Sequence, residues 1–252
     1  MEWVREFYST TGVWWGKADA RVGERDLRRV RLLREQGVAA GRVLELGSGY
    51  GTTAVAAARA GYAVTAVEIS DRADFTEELA RDLDSGALTV HKGDFYDIEF
   101  DRRFDAVCYW NGFGIGSDAD QRRLLERIAA WLEPGAVALV DVFNPFVWAG
   151  WDGDEEHLLP DPAAGYDREL RQRISFDPIA CTATDTWWEP AAPERVFRQT
   201  LRCYTPADLT LLLDGTGLSL TGIVVGEAAS DVAAAALLRR EFEYLAILHR
   251  TP

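Results

Sequence analysis

The feature that most constrains the fold is a glycine-rich turn within residues 42–70, "RVLELGSGYGTTAVAAARAGYAVTAVEIS". An apolar run ends at glycines placed at every second position, Gly47, Gly49 and Gly51, and a helical pattern follows. A second apolar run then ends at an acid, Glu68. This order of strand, turn, helix and strand predicts an α/β fold. Turns of this kind often bind phosphate, so the ligand has to be deduced from the residues around the glycines.

Strand and helix patterns alternate through the first 145 residues. After an amphipathic helix at 21–36, we predict strands at 42–46, 63–69, 88–92, 104–110 and 136–143, with helices at 52–60, 74–83 and 118–132. Asp118 is the predicted N-cap of the last helix. The alternation implies right-handed βαβ units and a parallel sheet covered on both faces. In such a sheet the ligand lies beyond the carboxyl ends of the strands.

The pattern changes after Pro145. Residues 146–193 are rich in tryptophan and in Pro/Gly turns, and segments 168–176, 181–188 and 195–204 alternate like antiparallel strands. A helix then begins with Thr205 as N-cap and Pro206 as first residue. Residues 218–226 and 241–250 are predicted to form an antiparallel pair at the edge of the sheet.

Composition excludes several classes of function. The chain has 252 residues, 48% of them apolar, and a formal net charge of −14, so we expect a packed core and a surface that repels nucleic acid and anionic membranes. No apolar run approaches the roughly 20 residues of a membrane helix, and the N-terminus lacks a signal-peptide pattern. The three cysteines lack metal-ligand spacing, so no metal is expected. These features predict a cytoplasmic protein.

The spacing around the turn argues against a pyrophosphate ligand. A dinucleotide fold has G-x-G-x-x-G, whereas this chain has E-x-G-x-G-x-G, with Thr52 at the position of the third dinucleotide glycine. Glu45 suits an ammonium group, and Glu68 can accept hydrogen bonds from both hydroxyls of a ribose. Asp94, in "KGDFYD", can accept from the amino group of adenine, with Phe95 against the ring. An ammonium, a ribose and an adenine without phosphate describe S-adenosylmethionine.

In this order, the segments "ELGSGYG", "AVEIS", "KGDFYD", "FDAVCYWNGFG" and "LEPGAVALVDVFNP" resemble the class I S-adenosylmethionine-dependent methyltransferases of the small-molecule type. The resemblance covers residues 42–143, and the fourth-strand segment is similar to that of glycine and amino-sugar N-methyltransferases. It implies ten cofactor-binding residues: Glu45, Gly47, Ser48, Gly49, Gly51, Glu68, Ile69, Asp94, Phe95 and Trp110.

The resemblance also implies the architecture. The expected fold is a Rossmann-like, doubly wound, mostly parallel seven-stranded sheet, with an antiparallel edge strand and a small antiparallel β lid inserted after the fifth strand. Residues 1–252 are then one methyltransferase domain. Its parts are an N-terminal cap helix region (1–37), a cofactor-binding core (38–145), a lid insertion (146–204) and a C-terminal completion of the sheet (205–252).

Candidate catalytic residues are Asn111, Tyr8 and His157. Asn111 follows the fourth strand and could orient the acceptor, although an Asn before Gly112 is also typical of a turn. Tyr8 lies in the segment before the first predicted helix, which folds over the cofactor in similar enzymes and could otherwise simply pack on the core. His157 lies in the lid insertion, where an exposed loop histidine is the alternative.

The sequence therefore predicts methyl transfer to a small molecule, plausible in specialised metabolism, with nitrogen preferred over oxygen and oxygen over carbon. Tryptophans of the insertion favour an aromatic or bulky apolar acceptor. Two alternatives stay open: a cofactor-binding protein of the same fold that acts as a non-methylating cyclase or scaffold, and an NAD(P)-dependent oxidoreductase. The oligomeric state is also open, with a homodimer among the alternatives.

Overall fold

The computed structural model describes residues 2–84, 87–226 and 231–251. Its contacts divide the chain into two compact units. The first unit comprises Met1–Tyr109, Trp131–Val137 and Pro160–Arg168, and the second comprises Trp110–Ala130, Ala138–Leu159 and Glu169–Pro252. Among the residues described, no helix has the length and apolar character needed to span a bilayer.

Eight α-helices are assigned within the described residues: α1 (Glu2–Asp19), α2 (Glu24–Glu35), α3 (Thr52–Arg59), α4 (Asp74–Leu79), α5 (Asp118–Trp131), α6 (Pro145–Trp148), α7 (Pro206–Leu213) and α8 (Asp231–Leu237). Short 3₁₀ turns occupy Asp71–Ala73 and Ala149–Trp151. The strands are β1 (Arg42–Leu46), β2 (Ala63–Glu68), β3 (Leu88–Lys92), β4 (Phe104–Phe113), β5 (Leu132–Phe143), β6 (Glu155–Leu158), β7 (Leu170–Asp177), β8 (Thr182–Trp188), β9 (Val196–Arg202), β10 (Leu218–Val224) and β11 (Glu243–Arg250).

The strands form two sheets, and both confirm the predicted fold class. A seven-stranded sheet has the order β10-β11-β5-β4-β1-β2-β3, in which β1 pairs in parallel with β2 and β4, and β2 pairs in parallel with β3. β10 and β11 are antiparallel, as predicted for the edge. A separate antiparallel sheet has the order β6-β7-β8-β9.

The parallel register of the first unit places the ends of its strands together. Glu45 on β1 lies opposite Ala66 on β2 and Cys108 on β4, so the glycine turn that follows β1 emerges beside the carboxyl ends of both neighbours. β1 and the adjacent strands are almost completely buried, and Leu44 and Leu46 are fully inaccessible. Cys108 is buried as well and forms no disulfide, as expected of a core thiol.

Several local features differ from the predictions. The prediction that Asp118 caps α5 is wrong, because Ser117 does so: its hydroxyl accepts from the Asp120 N–H (3.2 Å), and its own N–H donates to the Asp120 carboxylate (2.9 Å). Asp118 instead accepts a hydrogen bond from the Tyr204 hydroxyl and forms an ion pair with Arg202. The segment before residue 21 is itself a helix, α1, and the helices α6 and α8 were not predicted.

A buried carboxylate connects the starts of α2 and α3. Asp26 is 2% exposed; one of its oxygens accepts from the Gly23 N–H (2.9 Å), and the other accepts from the hydroxyls of Thr52 (2.9 Å) and Thr53 (2.7 Å). Thr52 and Thr53 are the first residues of α3, directly after the glycine turn. Asp26 therefore fixes the helix that supports this turn.

We expect Asp26→Ala to lower the free energy of unfolding by about 2–3 kcal/mol, because two buried hydroxyls and one partly buried N–H lose their acceptor. Urea denaturation followed by circular dichroism measures the change. The control is Asp120→Ala, which removes a more exposed capping interaction and should lower it by only about 0.5–1 kcal/mol. Equal losses in the two variants would contradict the role assigned to Asp26.

Candidate active site

The glycine turn of the first unit has a backbone that other residues rarely adopt. Gly47, Gly49 and Gly51 have φ values of 57°, 56° and 76°. A Cβ at Gly51 would lie 2.3 Å from the Thr76 hydroxyl, and one at Gly47 would lie 3.0 Å from the Tyr109 ring. A Cβ at Gly49 would meet nothing within 4 Å, so the turn has open space beside its middle glycine.

Glu68 connects this turn to the end of β2. Its carboxylate accepts from the Gly49 N–H (2.7 Å) through one oxygen and from the Ser70 N–H (2.8 Å) and hydroxyl (2.5 Å) through the other. The Ser48 N–H donates to the Val67 carbonyl (3.0 Å) beside it. Glu45 lies one residue before the end of β1, and Glu68 is the last residue of β2. The hydrogen bond from Gly49 therefore connects the turn after β1 to the end of β2, where the second predicted acid lies.

Glu45 is a buried carboxyl group that accepts no hydrogen bond among the described residues. It is 4% exposed, and burial raises the pKa of its carboxyl to about 8. Arg29 lowers this pKa, whereas the charges of Asp26 and Glu68 raise it. The Ser48 hydroxyl is also buried, with no partner in the part of the chain that the structure describes. An isolated buried carboxylate is costly, and a ligand with a positive charge would relieve that cost.

Aromatic side chains lie near the ends of β3 and β4. The Phe95 ring is 5.5 Å from the Tyr109 ring and 4.9 Å from the Tyr96 ring, between centroids. Asp94 accepts from the Tyr96 N–H (2.9 Å), which fixes the turn after β3. The predicted adenine pair, Asp94 and Phe95, is thus held half-buried beside the ring of Tyr109.

The hydroxyl of Tyr109 lies in the middle of the predicted cofactor residues. Burial raises the pKa of this hydroxyl well above its usual value, the neighbouring phenols of Tyr8 and Tyr96 raise it further, and so do the carboxylates of Glu68 and Asp94. The resemblance did not indicate Tyr109 as a cofactor residue, and the structure groups it with the predicted cofactor residues.

Arg72 attaches α1 to the glycine turn, and no spacing in the sequence indicated it. Its guanidinium carbon lies 4.8 Å from the centre of the Tyr8 ring on α1 and 5.0 Å from that of Tyr50 in the turn. Its Nη2 donates to the Thr11 hydroxyl (3.0 Å), and the Tyr50 hydroxyl donates to the Gly12 carbonyl (2.9 Å). A Cβ at Gly12 would lie 2.6 Å from the Arg72 chain, so only glycine allows this approach.

In the second unit, the end of β4 carries Trp110 and Asn111. Trp110 is buried, whereas the Asn111 side chain is exposed. Asn111 has a φ of 51°, and its N–H donates to the carboxylate of Asp141 on β5 (3.2 Å), which is 8% exposed. Residues outside glycine adopt this conformation rarely, Asn more readily than others, and such residues are common at functional sites.

The remaining candidates have separate positions. Ile69 is half-buried directly after β2 in the first unit. His157 is on β6 in the second unit, opposite Arg171, with Nε2 2.7 Å from a carboxylate oxygen of Glu169. The structure thus brings together Tyr8, Glu68, Asp94 and the glycine turn within one unit, and the roles of Trp110, Asn111 and His157 stay predictions.

Comparison with known proteins agrees with this geometry. A family model described as a methyltransferase domain matches residues 19–222. A curated Streptomyces protein, cypemycin N-terminal methyltransferase, is 29% identical over 212 residues, which cover 82% of each chain.

Solved structures share the fold. An S-adenosylmethionine-dependent methyltransferase of Clostridium acetobutylicum has a TM-score of 0.74 at 14% identity, covering 97% of this chain and 99% of its own. An amino pentose methyltransferase of Micromonospora echinaspora, solved with bound S-adenosylmethionine, has a TM-score of 0.59 at 17% identity, covering 90% and 91%. Because the family model spans most of the chain, this protein belongs to the methyltransferase-domain family and is an S-adenosylmethionine-dependent methyltransferase.

Proposed function

We propose that this enzyme methylates an amine nitrogen of a small molecule of specialised metabolism. The observation that carries the nitrogen assignment is the Streptomyces relative, whose name specifies an N-terminal methyltransferase and whose match spans 82% of both chains. The amino pentose methyltransferase, from a calicheamicin pathway, has the same fold. The chain's own acidic charge agrees with an acceptor other than nucleic acid.

The described residues fit the cofactor group by group. Glu45 offers a buried carboxyl group that would lose its proton when the ammonium binds, and the buried Ser48 hydroxyl offers an unused polar atom in the same turn. Glu68 keeps one free lone pair for a ribose hydroxyl, on the oxygen that accepts from Gly49, because its other oxygen accepts from both the N–H and the hydroxyl of Ser70. Asp94 and Phe95 would receive the adenine. When bound, the sulfonium of the cofactor supplies an electrophilic methyl group.

On the side of the acceptor, the reaction mainly requires that the protein align the nucleophile with the methyl group. Methyl transfer is an in-line displacement, so the protein must orient the nucleophile and exclude water. A neutral amine attacks through its own lone pair and loses a proton afterwards, so no strong base is required. We assign the orienting role to Asn111, which the Asp141 carboxylate holds in its unusual backbone conformation. Tyr8 and His157 stay candidates for contact with the reacting groups.

A panel of acceptors tests the nitrogen assignment. The enzyme is incubated with S-adenosylmethionine and matched pairs of compounds, each an amine and the alcohol or phenol of the same skeleton, including short peptides with a free N-terminus. We expect S-adenosylhomocysteine release and a mass gain on the amines, with the methyl located on nitrogen by fragmentation. Methylation confined to oxygen or carbon would overturn the assignment.

We expect the affinity for S-adenosylhomocysteine, which keeps the ammonium group, to increase between pH 6 and pH 8. Because the pKa of Glu45 is raised to about 8, its carboxyl is protonated at neutral pH, and binding of an ammonium must release that proton. The gain should reach at most about 10-fold per pH unit. Calorimetry in buffers of different ionisation enthalpy measures both the affinity and the released protons.

Glu45→Gln is the matched control for this pH dependence. It keeps the size of the side chain and cannot titrate, so its affinity should be weak and nearly independent of pH over the same range. A wild-type affinity that stays constant from pH 6 to pH 8, or a pH dependence retained in Glu45→Gln, would contradict the role of Glu45.

We expect Glu68→Ala to weaken binding of S-adenosylhomocysteine by about 10-fold or more, since about 1–3 kcal/mol of buried hydrogen bonding is lost. Ser70→Ala, which removes one donor to Glu68 and keeps the carboxylate, should have a smaller effect. Glu78→Ala, an exposed acid on α4, serves as the control with no change. An unaltered affinity in Glu68→Ala would remove Glu68 from the site.

A further inference from the structure

The antiparallel sheet of the second unit has two faces of different character. Side chains alternate between faces along each strand, and the register of β7, β8 and β9 shows which residues share a face. One face, here the arginine face, carries Arg171, Arg173, Arg198 and Arg202. The other, here the Asp185 face, carries Gln172, Ile174, Asp185, Trp187, Phe197 and Gln199. Within these three strands, the only formal charge on the Asp185 face is Asp185.

Asp185 is held by neutral donors alone. It is 5% exposed; one oxygen accepts from the Gln172 amide (2.8 Å), and the other accepts from the Trp187 indole N–H (2.8 Å) and the Gln199 amide (2.8 Å). The arginines of the same strands point to the opposite face, so alternation keeps them from Asp185. Arg173 instead pairs with Glu155 on β6, and Arg202 pairs with Asp118.

A purely structural role does not require this charge. An Asn or a Gln could bridge the three strands with neutral hydrogen bonds, whereas a buried carboxylate with no counter-charge adds a desolvation penalty. The negative charge becomes favourable when a cation lies against it. The half-buried side chains of Trp187 and Phe197, on the same face, provide an apolar and aromatic surface for the rest of such a ligand.

We propose that the Asp185 face is a specificity subsite that binds a cationic amine group on an apolar or aromatic acceptor. This proposal rests on the proposed function, because it names the chemistry by which the acceptor is recognised. A protonated nitrogen has no lone pair for methyl transfer. Asp185 is therefore a specificity residue, and the cation it binds is a second charged group or an amine that must lose its proton before it reacts.

Binding of three probes tests the subsite without turnover. 2-Phenylethylamine hydrochloride, 2-phenylethanol and phenylacetate share a skeleton and are cationic, neutral and anionic. Each is titrated into the enzyme saturated with S-adenosylhomocysteine, and ¹H–¹⁵N spectra follow the indole resonances of Trp187 and Trp188. Trp187 donates to Asp185, whereas Trp188, the next residue along β8, lies on the arginine face. Trp187→Phe and Trp188→Phe assign the two signals.

We expect the amine to bind at least about 10-fold more tightly than the alcohol, with phenylacetate weakest, and to shift the Trp187 resonance more than that of Trp188. Asp185→Asn should reduce the preference for the amine to less than about twofold. Asp177→Asn, an exposed acid on the arginine side of β7, should leave the preference intact.

The proposal is overturned if the wild-type enzyme shows no preference for the amine, if no binding occurs up to about 20 mM, or if Asp185→Asn keeps the preference. If Asp185→Asn does not fold, the preference and the Trp187 shift in the wild type still decide the question. Failure of the nitrogen assignment is a separate result, because it appears in the methylated products and not in this binding measurement.

Discussion

The parallel pairing of β1 between β2 and β4 is the constraint on which the arrangement of the predicted cofactor residues depends. Because the three strands run in the same direction and in register, the glycine turn after β1 opens beside Glu68 and Tyr109, which belong to segments 19 or more residues away. The Glu68 carboxylate accepts a hydrogen bond from the Gly49 N–H, which fixes the turn to the end of β2. Without this register, the acids predicted from the sequence would lie at the ends of strands that are not adjacent.

Two buried carboxylates, one in each unit, share an electrostatic character. Glu45 and Asp185 are each about 95% inaccessible, and neither forms an ion pair among the described residues. They differ in their hydrogen bonds: Asp185 accepts three, whereas Glu45 accepts none, and the pKa of Glu45 is raised accordingly. The ligand groups that we propose for both positions are positively charged, the ammonium of the cofactor at Glu45 and a cation of the acceptor at Asp185.

Much of the fold was predictable because local signals were unambiguous. β1 and β3 have the predicted bounds, since glycines and polar residues border their apolar runs. The cap of α5 was misplaced because Ser117 and Asp118 are both favoured caps, and only the hydrogen bonds separate them. α1 was missed because Gly12 and Gly16 lower helix propensity; the structure uses them for close packing against Arg72 and Phe75. The Arg72 contacts join three distant segments, which no spacing reveals.

The alternation of the second sheet has an evolutionary consequence. Because neighbouring residues of a strand point to opposite faces, a one-residue shift of β8 against its partners would exchange the row containing Asp185 with the row containing Thr184 and Thr186. A matching shift of β7 or β9 would bring arginines to the face that now carries the carboxylate. Single insertions or deletions in the hairpins could thus convert the proposed cation-selective surface into one selective for anions, while the parallel sheet and its predicted cofactor residues stayed unchanged.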